Sequence, residues 1–464
     1  DVYLAKIFIT RYAIILVGLI ATLQMLDLLA KSEEILSGDG AVYADLWRYI
    51  TLRSPHLITL FSPFVALLSA ILTLSVLNVN SEIVIMKASG WSAFRILVPL
   101  MGISLLIGLV TFVFSETVTV HARAELRNWE ANAFAADERL IEAVAAYQQC
   151  LELNPTLGDA RVELAILLTR LDRQPEAEQE LQTAITHDPA LARAHRILGR
   201  VHYREARYDE AVEAYQRAID SNPDFGRAWG DLGQAEIRRG NLAAAADAYR
   251  QASTTDPTNA DFRDGLGFVL FKLRDYDAAA TELEGAIRQN PLHARSHFNL
   301  GNTYLRMGKR EEGQQLLERY RELDDQERRI YGLEITILQD PERATLYHDI
   351  AIIHTQRGET DKARRRYIQS VLRDSNYAAS YHNLGTIQLR QGKLREAMGL
   401  YRRALRADST YVLAYRSLGN VYMRMRQVQA AVEAFDAGLR HEPDSEDLLN
   451  RVQIAREILA GSSL

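Results

Sequence analysis

Residues 198–223 read LGRVHYREARYDEAVEAYQRAIDSNP, and this stretch decides the fold. Its small residues, aromatic residue and proline recur at equivalent positions every 34 residues. Glycine lets two helices touch closely, alanine lets a second helix pack on the first, an aromatic ring fills the remaining space, and proline ends a helix. The period therefore predicts stacked pairs of helices. The prolines that close successive segments are Pro155, Pro189, Pro223, Pro257 and Pro291.

The pattern Leu198-Gly199, Ala211, Tyr215 and Pro223 resembles the tetratricopeptide repeat (TPR), which has two antiparallel helices per unit. This resemblance implies an all-α solenoid in which each unit contacts its neighbours. Counted from the prolines, complete units begin near 158, 192, 226, 260 and 294. We expect a first TPR block over 138–326, made of a half repeat and five whole repeats.

The rhythm breaks after Pro291, and the segment from Glu311 to Leu338 contains no proline. A lengthened helix or an inserted hairpin would account for the break, and we assign residues 327–343 to this insertion. The period then resumes at Pro341, Ser375, Ser409 and Pro443.

A second TPR block is expected over 344–444, with units beginning near 344, 378 and 412. Residues 445–464 are predicted to be a capping helix and tail, which an array of this kind needs to cover its last apolar face. The capping helix has an apolar stripe at Leu448, Leu449, Val452, Ala455, Ile458 and Leu459.

The first 134 residues have a different composition. Segments 54–81 and 96–115 contain no Asp, Glu, Lys or Arg, and segment 7–30 contains only Arg11 and Asp27. Each segment is long enough to cross a bilayer core of about 30 Å. A cleaved signal peptide would explain only the first of them. The sequence therefore predicts three membrane-spanning helices, with too few flanking cations to fix their orientation.

Three stretches in this part carry a second resemblance: residues 26–29 (LDLL), residues 62–64 (SPF) and above all residues 81–90 (SEIVIMKASG). They resemble the N-terminal part of the LptF/LptG family of lipopolysaccharide-export permeases. In that family the last stretch is a cytoplasmic coupling helix seated on the LptB ATPase, and Glu82 is the corresponding acidic residue here. The resemblance implies a bacterial inner-membrane protein with a cytoplasmic N-terminus and a periplasmic repeat region.

The two parts meet inside a repeat. Family permeases continue after the third span into a β-rich domain and three more spans, whereas here the chain leads into a TPR helix predicted over 138–153. The partner of that helix would cover 124–137, where Arg127, Glu130 and Ala131 replace the usual aromatic, Leu and Gly. We expect this segment to cover the apolar face of the half repeat. A natural fusion and a join of two unrelated pieces are both open at this point.

Composition restricts the partners and the chemistry. Residues 135–464 hold 45 Lys and Arg against 50 Asp and Glu, so nucleic acid is not expected as a partner of the array. The lone Cys150 occupies a helix position that usually holds Ala, and we predict that it is buried packing. No nucleophile and base stand out as a pair, so the chain is not expected to be an enzyme.

Two sequence patterns superficially suggest ligand sites, but neither has the spacing or the number of ligands that such a site needs. Segments 301–309 and 385–393 have six residues between their glycines, where a phosphate-binding loop has four, so no nucleotide site is predicted. The pairs His293/His297 and His348/His354 lack a third ligand, and we predict that they are surface residues. No metal or other cofactor is expected.

A cationic row recurs at the end of each first helix, where a TPR array borders its concave groove. Stacked units would present this row to an acidic peptide, although cations at helix C-termini also stabilise the helix dipole by about 0.3–1 kcal/mol. Gln356 is the exception in the row. The groove row consists of Arg170, Arg204, Arg238, Lys272, Arg306, Arg390 and Arg424.

Four asparagines are the more specific candidates for partner binding. By resemblance, groove-facing asparagines in TPR arrays bond the backbone of an extended peptide, because an amide is donor and acceptor together. Phe298 occupies a position needed by the carboxylate clamp of chaperone-tail-binding TPRs, so that clamp is not predicted. The groove asparagines are Asn299, Asn302, Asn383 and Asn420.

Two functions follow from these patterns. The first is a membrane-anchored scaffold whose concave groove binds an extended segment of a partner protein. The second is a truncated permease subunit that docks an LptB-like ATPase through Glu82 in a lipopolysaccharide-export ABC transporter.

Overall fold

The computed structural model describes residues 2–36, 43–136 and 139–461, and the regular elements within these ranges are helices. The fold class is all-α, as the sequence predicts. The chain divides between Val269 and Leu270 into two compact units, which are described in turn.

Three long apolar helices near the N-terminus confirm the predicted spans. By length and composition, Val2–Lys31, Ala44–Val79 and Ala93–Ala136 are each able to cross a membrane. A short π-helical segment, Ser115–Thr119, joins the last two helices of this part. The helices are α1 (Val2–Leu36), α2 (Tyr43–Val79), α3 (Glu82–Ala88), α4 (Ala93–Phe114) and α5 (Val120–Ala136).

The three spans pack through a small apolar cluster and a few polar bonds. Phe8, Ala66 and Leu100 are buried together, one from each of α1, α2 and α4. The hydroxyls of Tyr12 and Ser62 lie 2.5 Å apart and link α1 to α2. Bonds between side chains of this kind hold helices together where no water competes for them.

The repeats follow from Gly158 onward, and their first helices begin at the residues that the repeat phase predicts. A single helix, α6 (Leu140–Leu153), precedes them. The first helices are α7 (Gly158–Arg170), α9 (Ala192–Arg204), α11 (Gly226–Arg239), α13 (Ala260–Lys272), α15 (Ala294–Arg306), α17 (Ala344–Gln356), α19 (Ala378–Arg390) and α21 (Val412–Arg424). The second helices are α8 (Gln174–His187), α10 (Tyr208–Ser221), α12 (Leu242–Thr255), α14 (Tyr276–Gln289), α16 (Arg310–Gln339), α18 (Thr360–Arg373), α20 (Leu394–Ala407) and α22 (Val428–Leu439).

A glycine under an aromatic ring fixes the distance between the two helices of a repeat. A Cβ atom added at Gly385 would lie 2.6 Å from Cε1 of Tyr401. Gly199 lies under Tyr215 in the same way. Gly301 and Gly385, the glycines of the two segments that superficially suggest phosphate loops, are therefore contact glycines between helices.

An Asx turn follows α6 and each of six second helices. In the turn after α18, the backbone N–H of Asn376 donates to Oδ1 of Asp374 at 2.8 Å. Such a side chain competes with the helix for backbone donors and so stops it. The residues that accept this bond are Asn154, Asp188, Asn222, Asp256, Asn290, Asp374 and Asp408.

Helix α5 takes the place of the missing first helix beside α6. Ala131, in the position that Gly holds elsewhere, is fully buried in one core cluster with Tyr147 and Cys150. The hydroxyl of Tyr147 donates to Oδ1 of Asn132 at 2.8 Å. The expectation that segment 124–137 covers the half repeat holds for the described residues up to 136; residue 137 and the predicted helix start at 138 lie outside them. Cys150 is buried as predicted, and burial raises the pKa of its thiol.

In the second unit, one helix spans the phase break. Helix α16 runs without interruption from Arg310 to Gln339, so the lengthened helix is correct and the inserted hairpin is wrong. The carboxylate of Glu334, late in α16, accepts a bond from Arg366 of α18 at 2.7 Å. The extra half of α16 thus lies beside the next repeat, where a separate second helix would otherwise be.

Helix α23 (Glu446–Gly461) packs on the last repeat as the predicted cap. Leu448, Val452 and Ala455 are buried against the α21 and α22 cluster. Leu449 and Ile458 do not belong to this face, since they are 49% and 46% exposed. The predicted stripe was too wide because a helix end that packs on one side only needs a narrow apolar face.

We expect Gly385→Ala to destabilise the second unit by about 1–3 kcal/mol, because the new methyl group would overlap the ring of Tyr401. Urea unfolding followed by circular dichroism measures this change. Gly399→Ala is the matched control, since nothing lies within 4 Å of a Cβ there. The control should be neutral or stabilising by up to about 1 kcal/mol. Equal midpoints for both variants would contradict the packing constraint.

Candidate interaction surfaces

Two residues of the groove row in the first unit contact the preceding repeat. Nη1 of Arg204 donates to the backbone oxygen of Thr169 at 3.1 Å. The guanidinium of Arg238 lies 5.0 Å from the ring centre of Tyr208. Both side chains are exposed. Each one combines a contact between repeats with a cationic surface.

The row residues of the second unit are also exposed at the ends of their helices. Arg306, Arg390 and Arg424 form no ion pair within the part of the chain that the structure describes. Their positive charges are therefore available to a partner. Arg306 is the C-terminal residue of α15, and the other two end α19 and α21.

The groove asparagines are less accessible than the sequence suggests. Asn299 is only 7% exposed, so the expectation that it lies at the surface is wrong. It faces the repeat interior because it shares a helix face with Ser296 and Thr303, three and four residues away, which are both fully buried. Replacing Asn299 would therefore disturb packing as well as any binding.

The other three asparagines bond within the array. Asn302 Nδ2 donates to the backbone oxygen of Phe298 at 2.8 Å. Asn383 Nδ2 donates to the hydroxyl of Tyr367 at 3.1 Å, which links two repeats. Asn420 Oδ1 accepts a bond from Arg451 of the capping helix at 2.9 Å. A peptide would have to use the remaining donors and acceptors of these amides.

Phe298 is 43% exposed, and its ring centre lies 5.0 Å from that of Tyr320. An aromatic pair thus occupies the position where a carboxylate clamp would need a polar side chain. The surface offered by α15 at this point is apolar.

The first unit has ion pairs between repeats that the sequence analysis missed. Arg196 Nε donates to Asp231 at 2.7 Å, and Arg193 pairs with Glu163. Burial raises the pKa of Asp231, although Arg196 acts in the opposite direction. In the sequence, these pairs could have been found as residues of opposite charge that are about one repeat apart. These pairs neutralise part of the surface beside the groove row.

A further polar cluster joins α8 to α9. Ligand atoms of Glu178, His202 and Glu205 lie within 4.8 Å of one another. The guanidinium of Arg207 already lies between the two carboxylates, with Nη2 2.6 Å from Glu178. The cluster is an ion-pair network that pins one repeat to the next.

Three of the four histidines chosen for their spacing are buried, so the surface prediction is wrong for His297, His348 and His354. His297 donates a bond from Nε2–H to the backbone oxygen of Pro291, 2.9 Å away. His348 Nδ1 lies 2.8 Å from the Ser380 hydroxyl of the next repeat, and His354 Nδ1 lies 2.8 Å from Glu359. Only His293 remains partly exposed. Imidazole rings fit these positions because each finds a polar partner inside the repeat stack.

Burial lowers the pKa of His348, and it does the same for His382, whose Nε2 lies 2.9 Å from the Ser417 hydroxyl. Both rings lie between stacked repeats and contact the tyrosines there. The neutral form is therefore the one that this interface accommodates.

In the membrane part, the predicted coupling stretch forms the short helix α3 between spans two and three. Glu82 begins this helix, and the hydroxyl of Tyr3 lies 3.4 Å from its carboxylate. Ser81 precedes it with a φ of 61°, in the left-handed region. Apolar Val84 and Ile85 are exposed on α3.

A cationic cavity of about 560 Å³ lies where the spans meet α6. Arg53, His56 and Arg123 form its basic wall, and Arg123 contacts the His56 ring directly. Gln149 and Glu152 of α6 line the opposite side. The membrane part and the half repeat together enclose this space.

Comparison with known families accounts for both parts. Tetratricopeptide repeat models match residues 134–201, 198–260, 236–291, 270–334, 342–410 and 388–452. The chain belongs to the tetratricopeptide repeat family. The repeats support a protein-interaction scaffold.

The model "Lipopolysaccharide export system permease LptF/LptG" matches residues 2–149. The permease protein LptG of Escherichia coli K12 is 30% identical over 137 residues, which is 29% of this chain and 37% of LptG. LptG of Escherichia coli O6:H1 matches equally. The chain thus spans little more than a third of these relatives. The TPR and permease matches overlap in residues 134–149.

Solved TPR structures also resemble parts of the chain. The TPR protein YrrB, described as having an unusual peptide-binding site, is 21% identical and covers 38% of this chain and 92% of its own, with a TM-score of 0.34. Pseudomonas aeruginosa PilF is 18% identical and covers 44% and 98%, with a TM-score of 0.40. MamA is 21% identical and covers 36% and 96%, with a TM-score of 0.33.

We predict that the second unit loses stability as the pH falls below about 6.5. Above that pH, histidine is neutral in both the folded and the unfolded chain. Below it, the unfolded chain binds protons first, since burial lowers the pKa of His348 and His382 in the fold. Thermal unfolding between about pH 7.5 and 5 should show the loss, and His382→Gln should reduce its slope. Exposed His187 supplies the control, His187→Gln, which should leave the slope unchanged.

Proposed function

We propose that the chain is a membrane-anchored scaffold whose repeat groove binds an extended segment of a partner protein. The observation that carries the proposal is the packing of α5 on α6. Tyr147 and Asn132 bond across this contact, so the last helix of the membrane part is also the first helix of the array. A tether of this kind holds the groove at a membrane. In this proposal, residues 1–134 are the anchor and 138–326 and 344–444 are the two binding blocks.

Exposed cations along the groove support an acidic or carboxylate-bearing segment as the bound partner. The groove row places Arg306, Arg390 and Arg424 at matching helix ends in the second unit. Asn302 bonds through Nδ2 and keeps its side-chain carbonyl for backbone recognition, whereas both groups of Asn383 already have partners and one N–H of its amide remains. Charges of one sign in a row mainly accelerate association with an oppositely charged partner.

We expect the triple variant Arg306→Glu, Arg390→Glu and Arg424→Glu to lose partners that the full chain captures from bacterial extract. Quantitative mass spectrometry of the captured proteins measures the loss. Adding Asn302→Ala should weaken binding by a further 0.5–1.5 kcal/mol or so. Asn299 is left intact because it is buried.

The control for this experiment reverses three exposed arginines on second helices: Arg217→Glu, Arg250→Glu and Arg288→Glu. It changes the net charge by the same amount away from the groove. The groove is not the binding surface if both triple variants capture the same proteins as the original chain.

The proposal includes an orientation, with the N-terminus in the cytoplasm and the repeats in the periplasm of a bacterial inner-membrane protein. It rests on the resemblance of residues 81–90 to the cytoplasmic coupling helix. A reporter that is active only outside the cytoplasm should be active when fused after Leu464. The same reporter should be inactive when inserted within residues 88–93. The reverse pattern of reporter activity would contradict the proposal that the repeats lie in the periplasm.

A second candidate function is a permease subunit that docks an LptB-like ATPase and contacts lipopolysaccharide. Two observations favour it: α3 presents Glu82 together with exposed Val84 and Ile85, and a cationic cavity lies at the junction of the spans with α6. The exposed apolar face of α3 would bind in a groove of the ATPase. The cavity has the charge that phosphate groups require.

If this second function holds, Glu82→Lys should abolish co-purification of the chain with an LptB-type ATPase. Glu116→Lys is the control, because Glu116 is an exposed carboxylate after the third apolar helix segment. If the original chain, the Glu82→Lys variant and the Glu116→Lys variant co-purify with the ATPase equally well, Glu82 is not the coupling residue. Absence of any complex with the original chain would leave the scaffold as the function.

A further inference from the structure

Positive charge is concentrated in one part of the second unit. Residues 360–407 hold 11 Lys and Arg against three Asp and Glu, although the whole chain has a net charge of −6. This segment consists of α18, α19 and α20. Val371 of α18 and Leu400 of α20 both pack against one buried cluster, so these two second helices flank the same core.

Five of these cations lie on the exposed side of the second helices α18 and α20, whereas the groove row lies at the ends of first helices. Arg365 of α18 and Arg395, Arg403 and Arg406 of α20 are exposed, and none forms an ion pair among the described residues. Arg402 is exposed as well and donates to the Tyr422 hydroxyl at 2.7 Å. We name this surface the basic outer face: Arg365, Arg395, Arg402, Arg403 and Arg406.

The repeat provides an internal comparison. Helix α10 has the same register as α20, and its equivalent exposed positions hold Asp209, Glu213, Gln216, Arg217 and Asp220. The fold therefore accepts acidic and neutral residues at these positions. The cations of α20 are not required by the packing of a TPR helix.

Apolar side chains are interleaved with the cations. Ile368 and Leu372 of α18 are 42% and 74% exposed, one and two turns from Arg365. Leu338 of α16 is 75% exposed, and α16 reaches α18 through the Glu334–Arg366 ion pair. Cations beside exposed leucine and isoleucine are the composition of helices that lie on a membrane surface.

We propose that the basic outer face binds the surface of a membrane that carries anionic lipid headgroups. Phosphate headgroups match the unpaired guanidinium groups, and Ile368 and Leu372 enter the boundary between headgroups and acyl chains. The three apolar spans keep the array close to a bilayer, which raises the effective concentration of lipid at this face. A nucleic acid would match the charge but would leave the exposed leucines in water.

The test uses the full chain in fluorescent nanodiscs of phosphatidylcholine, so that its own spans are already in neutral lipid. Added vesicles contain either phosphatidylcholine alone or about 30% phosphatidylglycerol, and co-flotation measures binding at about 0.1 M salt. We expect binding to the anionic vesicles only. The variant Arg395→Glu, Arg403→Glu and Arg406→Glu should bind at least about 100-fold more weakly, since each arginine near an anionic surface contributes roughly fivefold.

Matched controls separate the face from net charge and from folding. The triple reversal Arg217→Glu, Arg250→Glu and Arg288→Glu has the same charge change on other second helices and should retain most of the binding. The neutral variant Arg395→Gln, Arg403→Gln and Arg406→Gln should also lose binding, with an unchanged circular dichroism spectrum and thermal midpoint. Leu372→Ser should remove the binding that persists at high salt.

Equal binding of the original chain to neutral and anionic vesicles would overturn the proposal. So would an equal loss of binding in the two Glu triple variants. Tighter binding to duplex DNA than to the anionic vesicles, lost with the same three α20 arginines, would replace the lipid surface by a nucleic acid.

Discussion

The contact of an aromatic ring with a backbone that lacks a Cβ sets the dimensions of the array. Where Tyr401 lies on Gly385, the two helices of a repeat approach as closely as the ring allows. The hydroxyl of the same Tyr401 bonds to Ser417 of the next repeat. One side chain thus fixes the spacing within a repeat and contributes to the stacking between repeats. The alanines around it are buried because the helices are already this close.

The lengthened helix α16 shows what happens when that contact changes. Gly301 faces Leu317 and Gly313 in place of an aromatic ring, so the backbones of α15 and α16 meet directly. The helix then continues past the point where a turn would begin. The next repeat packs beside this extension through the bond of Arg366 to Glu334. The repeat phase shifts while each repeat on either side retains its own packing.

Much of this fold could be predicted from the sequence because a period of 34 residues reports on the backbone. The helix starts at Gly158, Ala344 and Val412 agree with it, and so does the cap that contains Leu448. Side-chain exposure was less predictable. Asn299 and His348 are polar and yet buried, and the partner of His348 is the Ser380 hydroxyl of the next repeat. Only the three-dimensional stack brings such partners together, and for the same reason the ion pair of Arg196 with Asp231 was missed.

The shared helix α5 also makes the folding of the array depend on the membrane part. The apolar face of α6 around Tyr147 is covered by Ala131 and its neighbours, which belong to the helix that follows the third span. The half repeat therefore completes its core only with a helix that the membrane part supplies. Repeats without α5 would expose this apolar face, and exposed apolar surface of this kind promotes aggregation.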